Sequence, residues 1–182
     1  LPAPDIEVEL LVAMVDDHNR KMHWGHGWGV HVTLARPRSR GRVSLASPDT
    51  TRPPLIDPRY FSHPEDMPTL VAGTRKVLDI ANAPALAPFR GQPLYDVDPT
   101  SEQDIEREIR RSADTEYHPC GTCRMGPPGD PDAVVDAALR VRGLRGLRVV
   151  DASVMPAITS ANTNAPTIMI AERAADLVRH DR

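Results

Sequence analysis

Aliphatic side chains alternate with polar or small ones from position 30 to position 35. A period of two predicts a strand that is buried on one face. Residues 38–41 are typical of a turn and residues 42–45 of a returning strand, so we expect these two strands to form a hairpin. The apolar run within residues 1–17 fits a strand or a short helix equally well.

Two later segments have the spacing of amphipathic helices. Residues 64–81 carry one apolar face and are predicted to cover the sheet. Residues 101–113 begin at a potential N-cap, Ser101, and have acidic residues in the first turn, where the helix dipole favours negative charge. Their many charges predict a helix that is largely exposed to solvent.

The carboxy-terminal third predicts a strand, a polar loop and a last helix. The strand covers residues 147–150 and is ended by Asp151, and Pro166 suits the first turn of the helix. The apolar period of this helix predicts a buried face made of Ile168, Ala171, Ala175 and Val178.

Composition limits the classes of function. The 182 residues are 40% hydrophobic and 26% charged, with a net charge of -3, which is a globular profile without the basic field that recruits nucleic acid. No run approaches the roughly 18 apolar residues of a membrane span. Cys120 and Cys123 do not make a disulfide framework, so we expect a reducing compartment and a cytoplasmic protein.

Two segments carry residues suited to chemistry. The first is Tyr117-His-Pro-Cys-Gly-Thr-Cys-Arg-Met-Gly126, and the second combines residues 150–156 with residues 162–176. In sequence and spacing they resemble the carboxy-terminal half of the glucose-methanol-choline (GMC) oxidoreductases. The segment 36–45 is similar to the start of the substrate-side region of that family, so the resemblance covers nearly the whole chain.

The resemblance implies an α+β fold with two regions. Residues 1–113 would form the substrate-binding region, an antiparallel sheet with covering helices. Residues 114–182 would form the carboxy-terminal part of an α/β FAD-binding domain of the glutathione-reductase-like type.

The resemblance also implies a catalytic pair, His118 and Asn162, that oxidises an alcohol to an aldehyde or ketone with FAD as hydride acceptor at N5. Full deprotonation of an alkanol by a histidine at neutral pH lies about 9 pK units, or roughly 12 kcal/mol, uphill. His118 must therefore take the proton as the hydride departs, or once the developing alkoxide is stabilised. A neutral imidazole suits that task, and the Asn162 amide can donate to the same oxygen without adding charge.

The resemblance places the flavin against two further elements. The amino terminus of the last helix has backbone N–H groups that suit the pyrimidine edge of a flavin. Asp151 and the Ala152 backbone would face the ribityl chain. The cofactor-binding candidates at the helix terminus are Thr163, Asn164, Pro166 and Thr167.

The dinucleotide fingerprint G-x-G-x-x-G is absent, so the adenine half of FAD has no cradle in this sequence. We therefore expect a partner, the amino-terminal FAD-binding half, which is either removed from the same precursor or a separate chain. The other expected partners are a small alcohol and an electron acceptor, either oxygen or a quinone. A quinone acceptor would favour a place at the membrane periphery.

Three alternatives remain open at the level of sequence. The same fold also serves flavin-containing hydroxynitrile lyases, and a non-catalytic assembly subunit could retain it. The C-x-x-C pair invites a metal or redox interpretation, but only one such pair exists. His23, His26 and His31 fit neither one helix face nor strand alternation, so the sequence assigns no metal ligands.

Overall fold

The chain folds into two compact units, each built from two stretches of sequence. In a computed structural model that describes residues 3–17 and 20–180, one unit combines Leu1–Ser39 with Tyr60–Glu116, and the other combines Arg40–Arg59 with Tyr117–Arg182. The two predicted regions include residues 1, 2, 18, 19, 181 and 182, which lie outside the described residues. The division into a substrate region and an FAD region stays a prediction.

The first unit contains the strand that the alternating pattern predicts. Strand β4 (Gly29–Leu34) pairs antiparallel with β1 (Ile6–Leu11), and Val8 lies opposite Val32. The apolar run near the amino terminus thus begins in a strand. Two short strands, β2 (Val15–Asp16) and β3 (Lys21–Met22), form a separate antiparallel pair.

The predicted hairpin is wrong in its pairing. Residues 42–45 do contain a strand, β5 (Arg42–Ser44), but its partner is β6 (Leu55–Asp57) in the second unit. Two interactions divert the chain after β4. Strand β4 pairs with β1 over six residue pairs, whereas β5 pairs with β6 over three. In addition, the Asp66 carboxylate accepts hydrogen bonds from the backbone N–H groups of Arg38 and Ser39, each at 2.8 Å.

Both predicted helices of the first unit are confirmed. Helix α1 (Asp66–Ala81) packs on β4 and β1, and α2 (Glu102–Ser112) packs on α1. The Ser101 hydroxyl accepts the Asp104 N–H and so caps α2. Most charged side chains of α2 are exposed to solvent, although those of Asp104 and Glu108 are half-buried, and a narrow apolar stripe is buried. The shared core consists of Met67, Leu70, Val71, Ile105 and Ile109.

The last helix, α3 (Asn164–His180), buries a different face from the predicted one. Ile170 and Ala174 are buried, whereas Ile168 and Val178 are 55% and 54% exposed. Ala171 and Ala175 are exposed as well. Because α3 carries two adjacent apolar stripes, its periodicity could not determine which one meets the core. That core consists of Val135, Leu139, Val154, Met155, Ile170 and Ala174.

The predicted strand at residues 147–150 does not form. The segment makes an isolated antiparallel bridge between Arg148 and Arg140, and further single bridges join Val135 to Met125 and to Val141. Gly143 and Gly146, which lie between the two bridged arginines, adopt positive φ, which glycine tolerates without steric cost. Apart from the β5–β6 pair, the second unit is therefore held by single bridges, loop hydrogen bonds and side-chain packing around α3. None of the helices within residues 3–17 and 20–180 has the length and hydrophobicity needed to cross a bilayer.

Asp66 provides a test of this arrangement because it is a charged residue that is only 3% exposed. Burial alone would raise the pKa of Asp66, but hydrogen bonds from the Ser39 hydroxyl and from the N–H groups of Arg38 and Ser39 outweigh it and hold this pKa below its usual value. We expect Asp66→Asn to lower the free energy of unfolding by about 1–3 kcal/mol, since an amide cannot accept all of these donors.

Urea denaturation at neutral pH measures this change. The matched control is Asp79→Asn, which removes an exposed carboxylate from the same helix and should leave stability within about 0.5 kcal/mol of the parent. Equal losses in both variants would contradict the structural role of Asp66.

Candidate active site

His118 lies in the second unit, on the extended segment that follows Tyr117. Tyr117 adopts a left-handed backbone with φ of 60°, which is uncommon for a residue other than glycine and turns the chain sharply before His118. The His118 side chain is half-buried, and its Nδ1 lies 3.0 Å from the Thr163 hydroxyl. Thr163 is itself only 6% exposed, so this hydrogen bond is shielded from competing water.

Backbone hydrogen bonds hold the segment after His118 against a short 3₁₀ turn, Ala152–Val154. The Cys123 N–H donates to the Ser153 carbonyl at 3.0 Å, and the Met125 N–H donates to the Val154 carbonyl at 2.8 Å. Val154 is fully buried in the core of the unit. The position of His118 thus depends on a core that also packs against α3.

An ion pair fixes the next loop. Both guanidinium Nη atoms of Arg124 bind the Asp130 carboxylate, at 2.7 and 2.9 Å. The Arg124 side chain holds the pKa of Asp130 below its usual value, and the same contact raises the pKa of Arg124. Arg142 donates to the carbonyls of Gly126 and Pro127, each at 2.7 Å, and so fastens the other side of this loop.

Asp151 has a local structural role in the chain. Its carboxylate accepts the Ser153 N–H at 2.8 Å and caps the 3₁₀ turn. Asp151 is exposed at the start of this turn, and not at the end of a strand as the sequence predicted. Ala152 is half-buried against the core. Among residues 3–17 and 20–180, the Ser153 N–H is the hydrogen-bond donor to the Asp151 carboxylate, so the second oxygen could accept a bond from a ligand.

The amino terminus of α3 offers fewer free donors than the sequence suggested. The Thr167 N–H is paired with the Thr163 carbonyl at 3.0 Å, and Pro166 has no N–H. Helix geometry leaves the N–H groups of Asn164 and Ala165 without an acceptor inside α3. Both residues are exposed, so their N–H groups are the ones suited to bind a ligand.

Asn162 immediately precedes the hydrogen-bond partner of His118. Asn162 is exposed, and it is the chain neighbour of Thr163, whose hydroxyl contacts the His118 imidazole. The sequence pointed to His118 and Asn162 as the pair but to Thr163 only as a cofactor ligand. Only the fold shows the contact of Thr163 with the imidazole, because the two residues lie 45 positions apart.

The two cysteines of the C-x-x-C pair are free thiols, and both are half-buried. Burial raises the pKa of the Cys120 thiol, although the charge of Arg40 opposes this effect. Cys120 packs against the core of the second unit. This environment favours the protonated thiol, which is the form that neither attacks a disulfide nor binds a metal.

Comparison with known proteins identifies the family. A family model described as GMC oxidoreductase matches residues 37–171. The chain belongs to the GMC oxidoreductase family. This GMC chain is 47% identical over 176 residues to the alcohol dehydrogenase [acceptor] of Pseudomonas putida, covering 96% of the chain and 32% of that enzyme. It is 43% identical over 180 residues to the mitochondrial choline dehydrogenase of Mus musculus, covering 98% and 30%.

A solved structure agrees with the assignment. Pyridoxine 4-oxidase from Mesorbium loti superposes on the chain with a TM-score of 0.89 and 34% sequence identity, covering 98% of the chain and 35% of the oxidase. The GMC chain therefore has the carboxy-terminal fold of this family and spans about a third of the length of these relatives.

The Arg124–Asp130 pair predicts an acid-sensitive loop. Because the folded-state pKa of Asp130 is depressed, its contribution to stability is present above the unfolded-state pKa and is lost as pH falls through the folded-state pKa. We expect Asp130→Asn to lower the Tm at pH 7 and to match the parent increasingly closely as the pH falls below about 4.

The control is Asp132→Asn, since Asp132 is 83% exposed and lies 3.6 Å from Arg124. Its Tm should follow the parent at every pH. A Tm difference for Asp130→Asn that is independent of pH would show that the ion pair is not its cause.

Proposed function

We propose that the protein oxidises a small alcohol to an aldehyde or ketone in an FAD-dependent reaction in which His118 is the base and Asn162 assists. The observation that carries this proposal is the shielded contact between His118 Nδ1 and the Thr163 hydroxyl at the start of α3. It fixes one ring nitrogen of the imidazole and leaves the other, Nε2, for a substrate.

The contact with Thr163 is compatible with the tautomer that a base requires, because a hydroxyl oxygen can accept a hydrogen bond from the imidazole. When His118 Nδ1 carries the proton and donates it to the Thr163 oxygen, Nε2 keeps its lone pair and can accept the alcohol proton. The positive charge that then forms on the ring is stabilised by the same hydrogen bond, now donated from a cation. Thr163 is thus a positioning residue that acts through His118.

Asn162 supplies the second part of the proton transfer. Its amide N–H donates to the alcohol oxygen as that oxygen becomes anionic, and it adds no charge that would disfavour protonation of His118. Its exposed position next to Thr163 is compatible with this role. The O–H bond breaks towards His118 Nε2, and the C–H bond must be broken by a hydride acceptor.

Hydride acceptance at N5 is the chemistry that FAD would supply when bound. The exposed N–H groups of Asn164 and Ala165 suit the pyrimidine edge of a flavin, which becomes anionic on reduction. The Thr167 hydroxyl is bonded to the Thr163 carbonyl, so Thr167 contributes by holding the helix turn. Asp151 and Ala152 are assigned to the ribityl chain through the free carboxylate oxygen and the backbone.

A partner region must hold the rest of the cofactor. The relatives are about three times as long as this chain, and the dinucleotide fingerprint is absent from it. The exposed outer stripe of α3, formed by Ile168, Ala171, Ala175 and Val178, adjoins the buried stripe and fits a contact with this amino-terminal FAD-binding portion.

The names of the relatives support alcohol oxidation over the lyase and assembly alternatives. They include dehydrogenases for alcohols and choline, and the choline oxidase of Arthrobacter globiformis is 44% identical over 160 residues. Both oxygen and another acceptor are therefore represented among proteins that this chain resembles. We assign the substrate as a small primary or secondary alcohol.

The first test removes the base. We expect His118→Ala in the intact flavoprotein to slow anaerobic flavin reduction by an alcohol about 10²- to 10⁴-fold, with a smaller change in KM, because a base acts in the transition state. His26→Ala, at an exposed position, is the control and should react at the parental rate. Parental flavin reduction in His118→Ala would remove the assigned role, and no reduction by any alcohol in the parent would favour the lyase.

The second test concerns Thr163. We expect Thr163→Val to slow flavin reduction about tenfold or more and to shift the pH dependence of kcat, because Nδ1 loses its acceptor and both tautomers become populated. Thr163→Ser retains the hydroxyl and should stay within a few-fold of the parent. An unchanged pH profile in Thr163→Val, with equal losses in the two variants, would indicate a packing role only.

A further inference from the structure

A second group of ionisable side chains lies in the first unit, on the β1–β4 sheet. Glu9 and His31 are directly opposite each other in the antiparallel register. Glu116, which follows the end of α2, brings its carboxylate to the same place, with Oε1 3.6 Å from His31 Nδ1. The ligand atoms of the three residues all lie within 4.8 Å of one another.

The sheet itself explains why this group is polar. Val32 and Leu34 of β4 pack against the core formed with α1 and α2. The odd-numbered residues of β4, and the odd-numbered residues of β1 that lie opposite them, are therefore on the other face of the sheet. Glu9 and His31 share that face, and all three side chains of the group are half-buried. Each ligand therefore comes from a residue whose backbone is fixed by strand pairing or by the adjoining helix.

The charges of the group are poorly compensated. Two carboxylates converge on one imidazole, and within residues 3–17 and 20–180 no lysine or arginine forms an ion pair with Glu9 or Glu116. Nearby like charges repel, and a divalent cation would relieve this repulsion more fully than a protonated His31.

From this geometry we propose that Glu9, His31 and Glu116 form a zinc-binding site. Zinc accepts imidazole nitrogen and carboxylate oxygen at about 2.0–2.2 Å, which in a tetrahedral site separates the donors by roughly 3.3–3.5 Å. The His31–Glu116 pair, at 3.6 Å, is already near that spacing, and the ligand atom of Glu9 lies within 4.8 Å of both. Three protein ligands leave a fourth position for water. Calcium and magnesium prefer oxygen ligands alone and fit this donor set less well.

The test of this site uses binding and not activity, so its failure can be told apart from failure of the proposed alcohol oxidation. The intact protein is freed of metal with a chelator and titrated with ZnCl₂ by calorimetry. We expect saturable binding of one equivalent, and at least a tenfold loss of affinity in Glu9→Gln and in His31→Ala. The Tm should rise with zinc in the parent and not in these variants.

Two controls separate the site from general surface charge. Glu7→Gln removes a carboxylate from the same strand and the same sheet face, and His26→Ala removes an exposed histidine. Both should bind zinc within about twofold of the parent. If His31→Ala fails to fold, Glu116→Gln takes its place, since Glu116 lies outside the strands. Absence of saturable binding, or equal weakening in the controls, would overturn the proposal.

Discussion

The hydrogen bond between His118 and Thr163 is the interaction on which the candidate active site depends. It joins two segments separated by 45 positions in sequence. Each segment is fixed by other contacts: the His118 segment by backbone bonds to the 3₁₀ turn at 152–154, and Thr163 by the first turn of α3. Displacement of either one would therefore uncouple the imidazole from its partner.

Helix α3 makes three separate contributions to the structure within its 17 residues. Its first turn positions Thr163 and leaves two backbone N–H groups exposed. Its inner stripe, with Ile170 and Ala174, fills the core of the second unit. Its outer stripe is apolar and exposed, which is costly for an isolated surface, and the proposed contact with a covering region would account for it. The proposed active site and the proposed contact with the remainder of the protein thus share one helix.

The β1–β4 pair divides its two faces in a similar way. One face supplies apolar side chains to the core of α1 and α2, and the other carries the group of Glu9 and His31. An antiparallel sheet commonly buries one face and leaves the other polar. What is unusual is the convergence of two carboxylates on one histidine, because unlike an ordinary polar face it concentrates negative charge.

The sequence by itself determined the elements whose signals are local. The strand at residues 29–34, helix α1, the Ser101 cap and the presence of α3 follow from periodicity and capping chemistry, which act between near neighbours. The two ordered motifs around His118 and Asn162 were enough to predict the family, which the comparisons confirm.

Tertiary structure decided every feature that depends on a distant partner. The strand at 42–44 pairs with 55–57 because β1 pairs with β4, and the residues at 147–150 have no partner strand with which to form a ladder. Which stripe of α3 is buried depended on where the core lies, and the contacts of Thr163 and Glu116 required chain segments to meet across many residues. Periodicity records that a side chain is apolar or polar, but only the fold determines what it contacts.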